Sequence, residues 1–289
     1  MNAYFFGRIL VFSIIYIIIT YYTLMNMIIA GEKFESLADL SIGRATDVGG
    51  SVAFKDIAEL RLNAHFDNPS VIFCFGHCID ELSQCIGAFA NPFVLLSHNS
   101  DFVVTDCEST RNILECKCVK LWFAQNIQDR TFFSLKLRFL PAGIANQGLQ
   151  KDKDIFRDIH LRKKNKDVHL QVLGQGRSNF DAVPNTVARL DALPPLQSIR
   201  RLAEYKFSIC PETDSHHLWE SYLVRAVPIA INTPFMQMVY EQTQLPMVLL
   251  DSWDQLDVSK ILPLYSHFDF SQGSNHLFMA AYAKQIFDA

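Results

Sequence analysis

The chain has 289 residues, 49% of them hydrophobic, with 23 phenylalanines and a formal net charge of −4. This apolar content excludes a disordered chain and is enough for one large or two small domains. The small negative charge, with no basic aromatic-laced groove and no zinc-knuckle spacing, excludes nucleic acid as an expected partner.

The N-terminal stretch 9–31, ILVFSIIYIIITYYTLMNMIIAG, contains no charged residue. A membrane-spanning helix needs about 20 predominantly apolar residues. A cleaved signal peptide would have a shorter apolar core and a small-residue cleavage site. We therefore predict a single-pass membrane anchor over residues 1–31, with residues 9–31 in the membrane, over the alternatives of a cleaved signal or a buried soluble helix.

The side of the membrane that carries the body stays open. Arg8 precedes the span and acidic residues follow it, which by the positive-inside rule places the N-terminus in the cytosol. The chain has no Asn-x-Ser/Thr acceptor, which favours a cytosolic body instead. The seven cysteines, an odd number, leave at least one thiol free.

Residues 32–68 are predicted to be a loosely ordered neck, and a regular pattern begins at Val71. Apolar runs predict four strands: VIFCF (71–75), PFVLLSHNSDFVV (92–104), VKLWFAQN (119–126) and LKLRFLPAGIAN (135–146). Apolar residues at helical spacing predict a helix after the first strand, with one face formed by Ile79, Leu82, Ile86 and Phe89.

A highly charged stretch, residues 150–167, is predicted to be a surface helix at a domain boundary. A second alternation follows, with strands at VHLQVLG (168–174), KFSIC (206–210), VPIAI (227–231) and PMVLL (246–250) and helices between them. Strands that alternate with helices predict a parallel sheet covered on both faces. The chain is therefore predicted to be α/β, with halves at 69–150 and 151–289.

The turn PETDSHH (211–217) is the most informative stretch, because it follows a predicted strand and precedes a helix. Ligands of α/β sheets bind at such strand ends. A helix N-terminus capped by Asp214 or Ser215 suits a phosphate. His216 and Glu220, at i and i+4, share a helix face, and the carboxylate can accept two hydrogen bonds from a ribose diol.

Two other interpretations of this turn remain. Strand–turn–helix units with a capping Asp occur throughout α/β proteins without binding a ligand. His-His-x-x-Glu could also hold zinc, but catalytic zinc usually has three protein ligands, and no HExxH or CxxC accompanies it. We therefore predict no metal site and no cofactor.

The run YKFSICPETDSHHLWESYLVRAVPIAI (205–231) resembles the donor-binding segment of exostosin-like and fucosyltransferase-like glycosyltransferases. The matching positions are Phe207, Pro211, Glu212, Asp214, His216, Trp219, Glu220, Pro228 and Ile229. SHNSD (97–101), WFAQN (122–126) and LPAGIANQ (140–147) are similar to segments of the same group, in the same order. The resemblance covers about residues 71–250.

The resemblance implies the GT-B architecture, two Rossmann-like domains facing a cleft, here after an N-terminal transmembrane helix. Residues 69–150 would form the acceptor-side domain and residues 151–289 the nucleotide-sugar domain. The implied function is transfer of a sugar from a nucleotide sugar to a glycan hydroxyl, inverting and metal-independent, with a UDP-sugar favoured as donor and a GDP-sugar as the alternative. The predicted donor-binding residues are Glu212, Asp214, His216 and Glu220 at matching positions, together with His217 and Arg177.

The chain departs from the family pattern in ways that put activity in doubt. His217 replaces the arginine that would meet the diphosphate, Ala226 replaces a glycine, and the loop after Pro-Glu is shortened to Thr213. Arg177 is the candidate replacement cation, ahead of Arg225, because a guanidinium fork fits phosphate oxygens. The Glu212-x7-Glu220 spacing, found in some retaining transferases, is attributed to the shortened loop.

An inverting transfer needs a base to deprotonate the acceptor hydroxyl. The candidates are His98 and Asp101 at the end of PFVLL, with His77, Asp80 and Glu81 as second choices; each could instead cap a helix or meet water. The Asp-Lys-Asp at 152–154 resembles a metal-binding motif but lies in a lysine-rich run, so it is interpreted as solvated surface. The competing hypotheses are a degenerate, membrane-anchored nucleotide- or carbohydrate-binding protein and an α/β enzyme such as a sulfotransferase.

Overall fold

Two parallel β-sheets form the framework of the protein in its computed structural model. The structure describes residues 28–43, 52–62, 69–128, 136–144, 168–173, 189–190, 195–211 and 215–289. One sheet belongs to the N-terminal half and the other to the C-terminal half. The predicted α/β class with parallel sheets is therefore confirmed.

The N-terminal sheet has six parallel strands in the order β2-β1-β3-β4-β5-β6. The strands are β1 (Leu40–Ile42), β2 (Val52–Phe54), β3 (Val71–Phe75), β4 (Phe93–His98), β5 (Val119–Ala124) and β6 (Leu137–Phe139). The helices are α1 (Gly31–Glu35), α2 (Ile57–Leu62), α3 (Ile79–Cys85) and α4 (Glu108–Glu115), with 3-10 turns at Gly76–Cys78 and Ile86–Ala88. All six residues of β4 are buried, as expected for a strand covered on both faces.

Strands β1 and β2 come from residues 32–68, which the sequence predicted to be a neck. β1 pairs with β3 in the register Leu40↔Ile72, so this stretch is part of the sheet. The hydroxyl of Ser41 donates to the Glu35 carboxylate at 2.7 Å, and this buried contact ties α1 to β1. Each strand has three residues, which is too short for a strand pattern to stand out in the sequence.

The C-terminal sheet has five parallel strands in the order β11-β10-β9-β7-β8. The strands are β7 (Val168–Leu173), β8 (Arg189–Leu190), β9 (Tyr205–Ile209), β10 (Val227–Ile231) and β11 (Val248–Leu250). The helices are α5 (Pro195–Leu202), α6 (His216–Leu223), α7 (Pro234–Thr243), α8 (Val258–Ile261) and α9 (Met279–Phe287), with 3-10 turns at Trp253–Gln255, Leu262–His267 and Ser274–Leu277.

The strand order of each half locates its binding edge. Numbered within each half, the orders are 2-1-3-4-5-6 and 2-1-3-4-5. In doubly wound sheets, ligands bind outside the carboxyl ends of the strands where the order reverses. That point lies between β1 and β3 in the N-terminal half and between β7 and β9 in the C-terminal half.

The two halves contact each other directly. The backbone N–H of Ile29 donates to Leu277 O at 3.1 Å, and that of Ile144 donates to Ile29 O at 2.9 Å. Phe139, at the end of β6, stacks on Trp219 of α6 with ring centroids 6.0 Å apart. The segment at Ile29 therefore joins the two halves.

Within the described part of the chain, no helix has both the length and the apolar character needed to cross a membrane. Most of the predicted span, residues 9–27, lies outside the described residues. Its last four residues, 28–31, belong to the body of the protein, where Ile29 and Ala30 are buried between the two halves.

Candidate functional site

Helix α6 begins at the carboxyl edge of the C-terminal sheet, directly after the turn that follows β9. Ser215 occupies the N-cap position with extended backbone, but its side chain makes no capping hydrogen bond. Of the two capping side chains predicted, Asp214 or Ser215, the structure therefore differs from the prediction for Ser215. Leu218 and Trp219 are fully buried and fix the helix against the sheet and the other half. The first-turn N–H groups of α6 are therefore held at this edge without a Ser215 cap.

His216, the first residue of α6, contacts the N-terminal half. Its Nδ1 lies 2.8 Å from the carbonyl oxygen of Gly143. A carbonyl can only accept, so Nδ1 carries a proton and donates it to Gly143. The predicted donor-side histidine thus bridges to the loop after β6.

His98, the last residue of β4, is 2% exposed and bonds to the same loop from the other side. Its Nε2–H donates to the carbonyl of Pro141 at 2.8 Å, and its Nδ1 accepts the backbone N–H of Asn99 at 2.8 Å. Burial lowers the pKa of His98 to about 4, and the nearby His216 lowers it to a smaller degree. The hydrogen bonds to Pro141 and Asn99 act in the opposite direction and raise the pKa. His98 is therefore neutral at pH 7, with both nitrogens occupied.

Two close approaches shape the surroundings of His98. A Cβ on Gly31 would lie 1.7 Å from the Asn99 side-chain oxygen and 2.7 Å from His98 Nδ1. Gly143 has φ +66°, and a Cβ there would lie 2.5 Å from the Ile29 carbonyl oxygen. A side chain at Gly31 would require the side chains of His98 and Asn99 to shift, whereas one at Gly143 would require the backbone at Ile29 and Ala30 to shift.

His217 faces the strand rather than the turn. Its Nε2 lies 3.0 Å from the hydroxyl of Ser208 on β9, and burial lowers the pKa of the ring to about 4. Part of the residue's surface remains accessible, but the ring nitrogens lie in the interior. A neutral His217 brings no charge to a diphosphate.

Glu220 lies one turn after His216 on α6 and is half-buried. Arg225, the secondary cation candidate, follows the carboxyl end of the same helix. An eight-residue helix is about 12 Å long, so Arg225 lies far from the N-terminus where an anion would bind. Its placement removes it as a partner for that anion.

Asp101 is exposed just after β4, on the N-terminal half of the site. Asn126 Nδ2 donates a hydrogen bond to the carbonyl oxygen of the preceding residue, Ser100, at 3.2 Å, and this bond fixes Ser100. The second-choice groups His77, Asp80 and Glu81 are exposed after β3. The structure thus presents Asp101 to solvent while His98, three residues earlier, is enclosed.

Three predicted donor-binding residues, Arg177, Glu212 and Asp214, lie outside the described residues, as does the Asp-Lys-Asp at 152–154. The turn from Pro211 to His216 is thus described only at its two ends. Among the described residues, no group of three His, Cys, Asp or Glu side chains could hold a metal ion.

Sequence reasoning missed the carbonyls of Pro141 and Gly143 and the ring of Phe34. Phe34 packs between His98 and Tyr282, with ring centroids 5.5 Å and 5.7 Å away. The Pro-Ala-Gly run after β6 marks a turn and could have pointed to the carbonyls. Nothing in the sequence indicates the role of Phe34, because α1 lies in the predicted neck.

Comparison of the chain with protein-family models gives no match, and comparison with curated proteins gives none either.

Proposed function

We propose that this chain is a GT-B-like glycosyltransferase that moves a sugar from a nucleotide sugar to a glycan hydroxyl, with inversion and without a metal ion. The observation that carries the proposal is the strand order of the C-terminal sheet. It reverses between β7 and β9, and the loops after these two strands are those that contain Arg177 and the PETDSHH turn. The residues that resemble a donor-binding segment therefore follow the strands that flank this ligand-binding point.

The donor would bind over the N-terminus of α6. The diphosphate would accept from the first-turn N–H groups, where the helix dipole is positive. Glu220, about 6 Å further along the helix, would accept the ribose hydroxyls. Arg177 would supply the positive charge that the neutral His217 lacks.

The acceptor would approach from the N-terminal half, with Asp101 as the base. Asp101 is exposed and close in the chain to His98. His98 would act as a positioning residue, because its two nitrogens hold the Pro141 carbonyl and the Asn99 backbone. The part of the predicted anchor that precedes the body, residues 9–27, would hold the enzyme at a membrane.

The enclosed state of two histidines supports one alternative, a binding protein that has lost transferase activity. His98 and His217 are neutral and engaged with protein atoms. Such a protein would bind a nucleotide sugar or a glycan without turnover.

A panel of UDP-, GDP- and CMP-sugars tests both functions on the full chain in detergent. A ligand at about 100 times its Kd stabilises the folded state by about 2.7 kcal/mol, so the matching donor raises the melting temperature. Glu220→Ala abolishes that rise, whereas Glu115→Ala, an exposed carboxylate on α4, keeps it. Donor binding with sugar transfer or donor hydrolysis supports the enzyme. Donor binding without turnover supports a nucleotide-sugar-binding protein. No response to any donor contradicts both the enzyme and a nucleotide-sugar-binding protein.

A further inference from the structure

A cavity of about 180 Å³ lies where β6 of the N-terminal half meets the C-terminal half. Arg138 and Phe139 of β6 line one side. The other side is lined by the end of α7, the 3-10 turn at Ser274–Leu277 and α9. The cavity is therefore built from both halves of the chain.

Arg138 brings a permanent positive charge to this cavity. One guanidinium nitrogen donates to its neighbour's carbonyl, Leu137 O, at 2.9 Å. Across the residues that the structure describes, none of the ion pairs involves Arg138. A half-buried guanidinium keeps further donors for an anion, since only one of its N–H groups has an acceptor among the residues that the structure describes.

His276 supplies a second polar group. Its Nδ1 is buried and has no hydrogen-bond partner in the described parts of the chain. Burial lowers the pKa of the ring, so the imidazole is neutral at pH 7. The His276 ring therefore lines the cavity without adding a charge to it.

Two aromatic rings form apolar walls beside these groups. Phe139 is buried at the end of β6, and Tyr282 lies edge-on to the His276 ring at 5.9 Å. The amide side chains of Gln242 and Gln285 lie at the exposed rim. A cavity of about 150 Å³ holds one benzene molecule, so this one has the size of a benzene ring with one small substituent.

We propose that this cavity binds a small planar monocarboxylate, with its carboxylate on Arg138 and its apolar body between Phe139 and Tyr282. A monocarboxylate is favoured over a dianion because the cavity supplies one full positive charge. Since the ligand contacts both halves, it stabilises their association.

This cavity is separate from the donor site proposed above. Gln242 and Thr243 lie at the end of α7, which starts after the carboxyl end of β10. A ten-residue helix is about 15 Å long, so these residues lie at the far end of α7 from that edge. The proposal therefore does not depend on the transferase function.

Calorimetric titration of the full chain in detergent tests the proposal, with benzoate as the probe and benzamide as its neutral counterpart. We expect saturable benzoate binding in about the millimolar range and at least about tenfold weaker binding of benzamide. Arg138→Gln weakens benzoate binding about tenfold, while Arg111→Gln, an exposed arginine paired with Asp106, leaves it unchanged.

A second variant covers the case in which Arg138→Gln fails to fold. Gln285→Trp fills the cavity from its exposed rim and abolishes benzoate binding. The proposal is overturned if benzoate does not saturate the protein at millimolar concentration, or if benzamide binds as tightly as benzoate. It is also overturned if either cavity variant folds and still binds benzoate fully.

Discussion

His98 and His216 donate hydrogen bonds to carbonyls two residues apart, those of Pro141 and Gly143. One histidine ends a strand of the N-terminal sheet and the other begins a helix of the C-terminal half. The loop after β6 is therefore clamped from both halves at the edge where the candidate site lies. In each histidine a proton lies on the nitrogen that faces the carbonyl.

Loss of the His216 bond should loosen the junction between the halves. His216→Phe keeps a ring but leaves the Gly143 carbonyl without this donor. We expect the free energy of unfolding to fall by about 1 kcal/mol, measured by urea denaturation. His267→Phe, at an exposed position after α8, serves as the control and should change stability little. Equal losses in the two variants would contradict a role for the His216 bond.

The buried histidines predict a stability that depends on pH. The folded-state pKa values of His98 and His217 are about 4, against an ordinary 6.5. Between these values the unfolded chain binds more protons than the folded chain, so unfolding becomes easier as pH falls. The stabilisation is complete above pH 6.5 and is lost as pH falls toward 4. For His98 the full change is about 3 kcal/mol.

Denaturation midpoints measured across this pH window check the prediction. Wild type should lose stability steadily below pH 6.5, and His217→Gln should show a shallower slope because it removes one of the two groups. His267→Gln, which removes an exposed imidazole, should keep the wild-type slope. An unchanged slope in His217→Gln would show that its folded-state pKa is not lowered.

The regular parts of the fold were predictable because their strands are long and apolar. VIFCF and VPIAI form β3 and β10 at the predicted residues, and Ile79, Leu82 and Ile86 form the buried helix face. β1 and β2 were missed, since these three-residue strands gain their stability from pairing rather than from local pattern: β1 pairs with β2 and β3, and β2 pairs with β1.

The site was predictable only in outline. The strand–turn–helix pattern indicates that His216 and Glu220 lie on one face of a helix at a sheet edge. It does not indicate that His217, the next residue, turns inward to Ser208, because both orientations fit the same helical spacing. The bonds from His98 and His216 to one loop span 43 and 73 residues, and such long-range contacts have no local signal.

Gly31 should tolerate no side chain. Gly31→Ala places a Cβ 1.7 Å from the Asn99 side-chain oxygen, so Asn99 and His98 must shift. We expect a loss of about 1–3 kcal/mol, measured by thermal and urea denaturation. Gly87→Ala is the matched control, because a Cβ there has nothing within 4 Å. A Gly31→Ala protein as stable as Gly87→Ala would rule out the close approach.

Asp101 should carry the acceptor-side chemistry if the proposed transfer is the reaction. Asp101→Asn removes the base but keeps the size of the side chain, so kcat should fall by about 10² to 10⁴. The donor-induced rise in melting temperature should persist, because Glu220 and the N-terminus of α6 are untouched. Asp80→Asn, an exposed carboxylate on α3, should keep wild-type kcat. If Asp101→Asn retains full turnover while Asp80→Asn loses it, the base lies after β3 rather than after β4.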